Sequence, residues 1–223
     1  IPAAEPERQM ELLSQLWRQE DKPERALDLE SILQASAFSP AAQVEHYLHA
    51  AQIHEQWAER LAKEPVRARA EFRKAGLCYL GPVDAGIPAP NAQLLFRAAQ
   101  AFERAGDVPE TIRALERFCG RYGDDPRFPQ AVYQLAQRYR ALGVYAKALD
   151  LLGSSRPQMR QERGTVHYVP LTLYEEGLCE SLSGAKGSRQ RAAAMFQHVL
   201  EHPDIYPDSQ AWRDSLFALA TLE

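Results

Sequence analysis

The feature of this sequence that most constrains its fold is a pattern of residue classes that recurs 37 positions along the chain. Two stretches, beginning at Leu95 and Val132, place large apolar, small, aromatic and glycine residues in the same order. The matched positions are Leu95 and Val132, Ala99 and Ala136, Phe102 and Tyr139, Gly106 and Gly143, Ile112 and Leu149, and Leu115 and Leu152. A repeat of this length is typical of architectures that stack helical units, in which each unit buries its apolar face only against its neighbours.

Apolar residues recur every three or four positions along most of the chain, which is the spacing of one buried helix face. No stretch alternates apolar and polar residues as a half-buried strand does. The periodicity predicts helices at 7–19, 23–36, 40–62, 65–79, 91–105, 108–122, 127–142, 145–153, 171–183, 188–201 and from 209 to the terminus. The sequence therefore predicts an all-α fold, a right-handed α-solenoid of about five antiparallel helix pairs plus a terminal helix.

Two segments rich in glycine and proline interrupt this periodicity. Residues 81–90 hold two glycines and three prolines, so we predict a non-helical connector there. A second long loop is predicted at 153–170, where Gly, Ser, Arg and Pro are frequent. We therefore expect three parts: a divergent helical-hairpin block at 1–80, the connector at 81–90 and a repeat block at 91–223.

The composition excludes several classes of function. The chain has 45% hydrophobic and 25% charged residues, as expected of a protein that buries a core. Its net charge of −4, from 26 basic and 30 acidic residues, argues against nucleic acid as the main partner. No apolar run reaches the roughly 18 residues that a membrane span needs. Because the sequence begins at Ile1 without methionine, we expect it to be a piece of a longer protein.

The histidines do not predict a metal site. His46, His49 and His54 share one predicted helix, but His54 lies roughly 140° around the helix axis from His49. One helix cannot present all three to a single ion, so we expect them to be exposed polar residues. His198 and His202 have a spacing of four, yet a proline ends their helix directly afterwards. We expect no metal and no other cofactor.

No motif of an enzyme active site is present, because the sequence lacks a phosphate-binding glycine loop and a nucleophile elbow. Cys78, Cys119 and Cys179 are too far apart for a metal knuckle or a redox pair. Each lies in an apolar helical context, so we expect small buried hydrophobes, and their odd number favours a reducing compartment. We expect the basic residues of the second loop to be solvated, with contact to an acidic partner as the alternative; they are Arg156, Arg160 and Arg163.

The order of large, small, aromatic and glycine positions resembles the tetratricopeptide repeat (TPR), a family of stacked helix pairs. Similar units begin at positions 95, 132, 173 and 212, which are 37, 41 and 39 residues apart. The unit at 173 departs from the pattern because Glu180 stands where the aromatic residue belongs. The small residues Ala99, Ala136 and Gly177 predict a close approach of two helices in each unit. The segment at 117–126, Arg-Phe-Cys-Gly-Arg-Tyr-Gly-Asp-Asp-Pro, is similar to the longer repeats of bacterial envelope proteins. This resemblance implies fold far more than function.

A second stripe on the same helices is the candidate contact surface. Phe96 and Gln100 share one helix face, offset from the core face, and Tyr133 and Gln137 repeat that face in the next unit. In TPR proteins such positions line the concave groove, and the resemblance implies that they bind a partner here. The candidate residues are Gln93, Phe96, Gln100, Glu103, Gln130, Tyr133, Gln137, Arg140, Tyr174 and Leu178. The alternative is that Phe96, Tyr133 and Tyr174 pack against a neighbouring helix.

These observations predict a non-enzymatic scaffold that binds a partner protein or peptide along its concave face. Two alternatives remain: an accessory domain of a larger enzyme or membrane-anchored envelope protein, and a module for self-association into a homo-oligomer. The resemblance to envelope repeats favours an extracytoplasmic bacterial setting, whereas the odd number of cysteines favours the cytoplasm.

Overall fold

The computed structural model describes residues 10, 12–15, 17, 22–37, 39–159, 168–203, 205, 207 and 209–222. In these residues the structure is helical and contains no strand, so the all-α prediction is confirmed. The helices are α1 (Pro23–Ser36), α2 (Pro40–Arg60), α3 (Pro65–Asp84), α4 (Asn91–Ala105), α5 (Val108–Cys119), α6 (Phe128–Ala141), α7 (Tyr145–Met159), α8 (Tyr168–Ser183), α9 (Ser188–Leu200) and α10 (Gln210–Thr221). Residues 10, 12–15 and 17 are also helical.

The chain forms two compact units, residues 1–114 and 115–223, which we call unit 1 and unit 2. In unit 1 the helices α1 to α4 pack consecutively, each against the next along the chain. In unit 2 the helices α6 to α10 also pack consecutively, and the alternate helices α6, α8 and α10 contact one another as well. Unit 2 therefore has one row of adjoining helices, α6, α8 and α10, with α7 and α9 packed against it.

The repeated residues are core residues, as the pattern predicts. Leu95, Phe102, Val132 and Ala136 have no exposed surface, and Tyr139 is 8% exposed. The turns after α4 and α6 contain Gly106 and Gly143, whose φ angles of 73° and 72° lie in the left-handed region. Glycine adopts this conformation without steric cost, so both helices end where the sequence predicts.

The prediction of a non-helical segment at 81–90 is wrong for its first four residues, because α3 continues to Asp84. Pro82 lies in the last turn of α3, and its ring is buried. The Tyr47 ring of α2 packs so closely on Gly81 that a Cβ atom there would lie 2.2 Å from it. These tertiary contacts keep the last turn helical, although Pro82 has no amide hydrogen to donate to the helix. The compact units divide between residues 114 and 115, within α5, and the three-part division at 1–80, 81–90 and 91–223 stays a prediction.

The loop predicted at 153–170 is also shorter than expected. Helix α7 continues to Met159 with Pro157 inside it, and α8 begins at Tyr168. Ser155 and Met159 are buried, so packing extends the helix past the residues that predicted its end. Arg156 lies on α7 and donates a hydrogen bond to the Glu176 carboxylate, so it is not a solvated loop residue. Arg160 and Arg163 lie outside the described residues.

Two glycines allow aromatic rings of the following helix to approach the backbone closely. A Cβ atom on Gly76 of α3 would lie 2.6 Å from the Phe102 ring of α4. A Cβ atom on Gly177 of α8 would lie 2.5 Å from the Phe196 ring of α9. Both distances are shorter than a carbon–carbon contact allows. The close approach that the sequence predicts at 177 is therefore confirmed.

We expect Gly177→Ala to destabilise the protein by about 1–3 kcal/mol, because the added methyl group would displace the Phe196 ring. Gly153→Ala is the matched control, because Gly153 is exposed on α7 and no atom lies within 4 Å of the added methyl group. This change should stabilise the protein by up to about 1 kcal/mol, since alanine favours a helix more than glycine does. Urea denaturation measures both effects. Equal effects of the two substitutions would contradict the close contact at Gly177.

Candidate binding surface on helices α6 and α8

The candidate residues of unit 1 lie on α4, and Phe96 is not a surface residue. Gln93 and Gln100 are exposed and Glu103 is half-buried. Phe96 is only 5% exposed and packs in the core. The structure therefore supports the alternative interpretation of Phe96, in which its ring packs within the protein. What remains of the predicted contact surface on α4 is polar.

The candidate residues of unit 2 keep part of their surface exposed. They are all half-buried: Gln130, Tyr133, Gln137 and Arg140 on α6, and Tyr174 and Leu178 on α8. These two helices contact each other directly, so the predicted residues come together on adjoining helices. The ring of Tyr133 also lies 6.3 Å from the ring of Tyr168, at an interplanar angle of 54°. Tyr168 begins α8 and was not among the sequence-predicted residues.

We call the residues Tyr133, Gln137, Tyr168 and Tyr174 the tyrosine surface. The three tyrosines and the amide lie on α6 and α8 and are half-buried. The ring of Tyr174 packs 5.7 Å from the core residue Phe196, which fixes its position. Burial raises the pKa of Tyr133 above its usual range, and the nearby Glu175 carboxylate adds to this effect. The Tyr133 hydroxyl therefore stays protonated at neutral pH and is available as a hydrogen-bond donor.

An ion pair lies beside the tyrosine surface. Arg140 of α6 donates from Nε to Glu175 Oε1 of α8 at 2.5 Å. The Glu175 side chain is 1% exposed, whereas that of Arg140 is 30% exposed. Burial raises the pKa of Glu175 above its usual range, although Arg140 opposes this shift. Arg140, which the sequence predicted to bind a partner, therefore neutralises a buried carboxylate and connects α6 to α8.

The same kind of pairing explains the histidines of α2, for which the prediction of exposure was wrong. His46 and His54 are 7% and 8% exposed. The Nδ1 atom of His54 lies 2.7 Å from Glu71 Oε2 of α3, and that of His46 lies 2.9 Å from Glu30 Oε2 of α1. Burial lowers the pKa of His54, and the Glu71 carboxylate only partly opposes it. Each buried histidine thus satisfies a carboxylate on a neighbouring helix.

Glu30 is one of the most buried carboxyl groups of unit 1, with 2% of its surface exposed. Burial raises its pKa, but hydrogen bonds from His49, Ser14 and His46 together outweigh burial and lower the pKa to about 2. Glu30 is therefore ionised at neutral pH. Sequence periodicity could not find this contact, because it places Glu30 on a helix face but does not say which residues of another helix lie opposite.

Burial keeps the three cysteines in the protonated thiol form at neutral pH. Cys179 is buried, and Cys78 and Cys119 are half-buried. Burial raises the pKa of Cys78 to about 11, and those of Cys119 and Cys179 to about 12. The thiolate is the reactive form of cysteine, so all three are poor nucleophiles at neutral pH. Cys179 is the small buried hydrophobe that the sequence predicts.

Unit 2 also has an open cleft of about 540 Å³ that sequence reasoning missed. Its lining includes Glu116, Cys119, Tyr139, Lys147 and Asp150, which lie on α5, α6 and α7. The Tyr139 hydroxyl donates a hydrogen bond to the Glu116 carboxylate at this cleft. Tyr139 was predicted as a core residue, and its ring is indeed buried. The hydrogen bond from its hydroxyl group to Glu116 of α5 lies at the cleft, and only the tertiary structure shows this contact.

Within the described part of the chain, none of the helices has both the length and the apolar character needed to cross a membrane. No model of a known protein family matches the sequence, and no curated protein matches it. Among solved structures, one similar to this chain is the crystal structure of nearly identical TPR-like repeats of a protein described as a kinesin light chain from Podosopora anserina. It is 17% identical, with 86% of this chain and 92% of that chain covered and a TM-score of 0.49. A single-substitution variant of that protein gives the same values.

The consecutive packing of the described helices within each unit confirms the predicted all-α fold of stacked helices. The resemblance to bacterial envelope proteins stays a prediction.

Proposed function

We propose that this protein is a non-enzymatic scaffold that binds a segment of a partner protein on the tyrosine surface of unit 2. The observation that carries this proposal is the contact between the rings of Tyr133 and Tyr168, with Tyr174 and Gln137 half-buried on the same adjoining helices α6 and α8. In the TPR resemblance, positions of this kind lie on the concave face. The proposal therefore keeps the sequence-based assignment for unit 2 and omits Phe96.

The chemistry of this surface suits a protein ligand. Tyrosine rings supply a large contact area at low cost in conformational entropy, and their hydroxyl groups form directed hydrogen bonds. The amide of Gln137 both donates and accepts, so it matches the exposed backbone groups of a peptide. The Arg140–Glu175 ion pair beside the rings connects the two helices and keeps their spacing fixed. A preformed surface loses less entropy on binding than a flexible one.

The titratable groups support a scaffold more than an enzyme. The thiols are protonated at neutral pH, and the buried carboxylates Glu30, Glu71 and Glu175 each contact a histidine or arginine on another helix. The shifted pKa values of Glu30 and Glu175 therefore have a structural explanation. The resemblance to envelope repeats supports an extracytoplasmic setting as part of the proposal, and the net charge of −4 argues against a role for nucleic acid.

Site-directed photo-cross-linking tests the proposed surface. A benzophenone amino acid at Gln137 should capture the partner, whereas the same group at Gln190, exposed on α9, should not. The captured segment, made as a labelled peptide, should then bind the purified protein in a fluorescence anisotropy titration. Tyr133→Ala and Tyr168→Ala should each weaken binding by at least about tenfold, which corresponds to the roughly 1.4 kcal/mol expected of an anchor residue.

Tyr145→Ala is the matched control, because Tyr145 is also half-buried but lies on α7. It should leave the affinity unchanged. Equal capture from positions 137 and 190, or full affinity in the Tyr133 and Tyr168 variants, would contradict the assignment. Light scattering at several concentrations tests the alternative of self-association, which a strict monomer would exclude.

A further inference from the structure

We propose that Glu30, His46 and His49 of unit 1 form a binding site for a divalent transition-metal ion, with Zn²⁺ as the best match. Each of the three offers one ligand atom, and these atoms all lie within 4.8 Å of one another. Two imidazoles and one carboxylate are a frequent set of protein ligands for zinc. The site is independent of the tyrosine surface, which belongs to unit 2.

The distances between the ligand atoms fit one ion placed among them. The Nδ1 atom of His46 lies 2.9 Å from Glu30 Oε2, and the Nδ1 atom of His49 lies 3.6 Å from Glu30 Oε1. Metal–ligand bonds of about 2.1 Å at tetrahedral angles place neighbouring ligand atoms roughly 3.4 Å apart. The observed separations lie on either side of this value but run to different oxygens of Glu30, so side-chain rotation is needed to bring one oxygen and both nitrogens around a single ion.

Two helices supply the ligands. His46 and His49 are three residues apart on α2, which places both on one face, and the two rings meet edge to face at 6.2 Å. Glu30 lies on α1, which packs against α2. The side chain of His49 is 27% exposed, so the cluster has access to solvent on that side. A water molecule can therefore take the fourth position, as in zinc sites with three protein ligands.

The groups around the ligands have the arrangement of an outer coordination shell. The Ser14 hydroxyl donates to Glu30 Oε1 at 2.6 Å and fixes the orientation of the carboxylate. The second ring nitrogen of His49, Nε2, lies 4.0 Å from Glu45 Oε1, so the exposed Glu45 side chain would have to move closer to form a hydrogen bond with it. A ligating histidine typically points its other nitrogen at a carboxylate, which orients the ring and raises its basicity.

A second buried carboxylate of unit 1, Glu71, is a useful comparison, because a side chain of the protein balances its charge. Glu71 contacts His54 through one oxygen, and its other oxygen accepts a hydrogen bond from Lys74 Nζ at 2.8 Å. The lysine supplies the permanent positive charge that a buried carboxylate needs. Among the described residues, the groups in contact with Glu30 are two imidazoles and a serine hydroxyl. A metal ion bound there would add a permanent positive charge to these contacts.

Titration of the protein with Zn²⁺ alone tests the site. After treatment with a chelator and its removal, calorimetry near neutral pH should show one ion per chain with a dissociation constant of about 1 μM or lower. Co²⁺ should give the visible absorption of a tetrahedral complex. The variants His49→Gln and Glu30→Gln should each weaken Zn²⁺ binding by at least about tenfold. His49 is half-exposed, so its variant should fold, and circular dichroism checks this.

Two histidine variants serve as matched controls. His54→Gln removes a buried histidine of the same helix, and His198→Gln removes an exposed one of α9. Both should bind Zn²⁺ as tightly as the wild type. Zn²⁺ should also raise the melting temperature of the wild type but not that of His49→Gln, because an ion bound only to the folded state stabilises that state. A wild-type dissociation constant above about 100 μM, or unchanged affinity in folded His49→Gln, overturns the proposal.

Discussion

Replacing Phe96 with alanine should destabilise the protein by about 3–5 kcal/mol, because its ring is 5% exposed and its loss would leave a cavity. The half-buried Tyr133 occupies the equivalent position of the next unit. Tyr133→Ala removes a ring that is still in contact with water, so we expect it to cost well under half as much. Urea denaturation followed by circular dichroism gives both values.

This comparison distinguishes a core position from a surface position, although Phe96 and Tyr133 occupy equivalent places in the repeat. If Phe96 were a contact residue, its substitution would cost little stability and would act on partner affinity instead. Similar losses of stability for the Phe96 and Tyr133 variants would contradict the placement of Tyr133 on a binding surface. A loss below about 1 kcal/mol for Phe96→Ala would contradict its burial.

Replacing Arg140 with methionine should also destabilise the protein by about 3–5 kcal/mol, because it leaves the buried carboxylate of Glu175 without its partner. The double substitution of Arg140 and Glu175 by methionine removes both charges from the interface between α6 and α8. It should cost much less than Arg140→Met alone, since a buried ion pair replaced by apolar residues is often nearly neutral. A double-mutant cycle in urea measures the coupling.

The cost of Arg140→Met should depend on pH. Burial already raises the pKa of Glu175 above its ordinary value of 4.5, and loss of Arg140 removes the main opposing interaction. A raised pKa in the folded state means that folded Glu175 holds a proton where the unfolded chain has lost it, so stability rises as pH falls toward 4.5. The difference from the wild type should therefore be larger near about pH 8 than near about pH 5. A difference that does not change with pH would show that Glu175 is not the unpaired group.

The two variants also guide the interpretation of the binding experiment. Arg140 is 30% exposed and lies beside the tyrosine surface, so its substitution could weaken partner binding through contact or through the spacing of α6 and α8. The double methionine variant distinguishes these causes. If it restores stability but not affinity, Arg140 contacts the partner; if it restores both, Arg140 acts only by positioning the two helices.

The candidate site was predictable only in part. Helical periodicity places Tyr133, Gln137 and Arg140 on one face of α6, and the structure agrees. Periodicity treats Phe96 and Tyr133 alike, yet the first is buried and the second is half-exposed. Which face of a helix is covered depends on the helices packed against it, and these are far away in the sequence. Tyr168 was missed for the same reason, because only the packing of α6 on α8 brings it to Tyr133.

By itself the sequence determined the all-α fold, most of the helices, the turns at Gly106 and Gly143 and the close helix contact at Gly177. These features depend on local periodicity and on the conformational freedom of glycine, which short stretches of sequence encode. Tertiary structure alone decided the partners of the buried charges and the helical turns that contain proline. Pairs such as Glu30 with His46, or Arg140 with Glu175, join residues 16 and 35 positions apart on different helices. Their stability comes from excluding water around both groups at once, which happens only after the helices have packed.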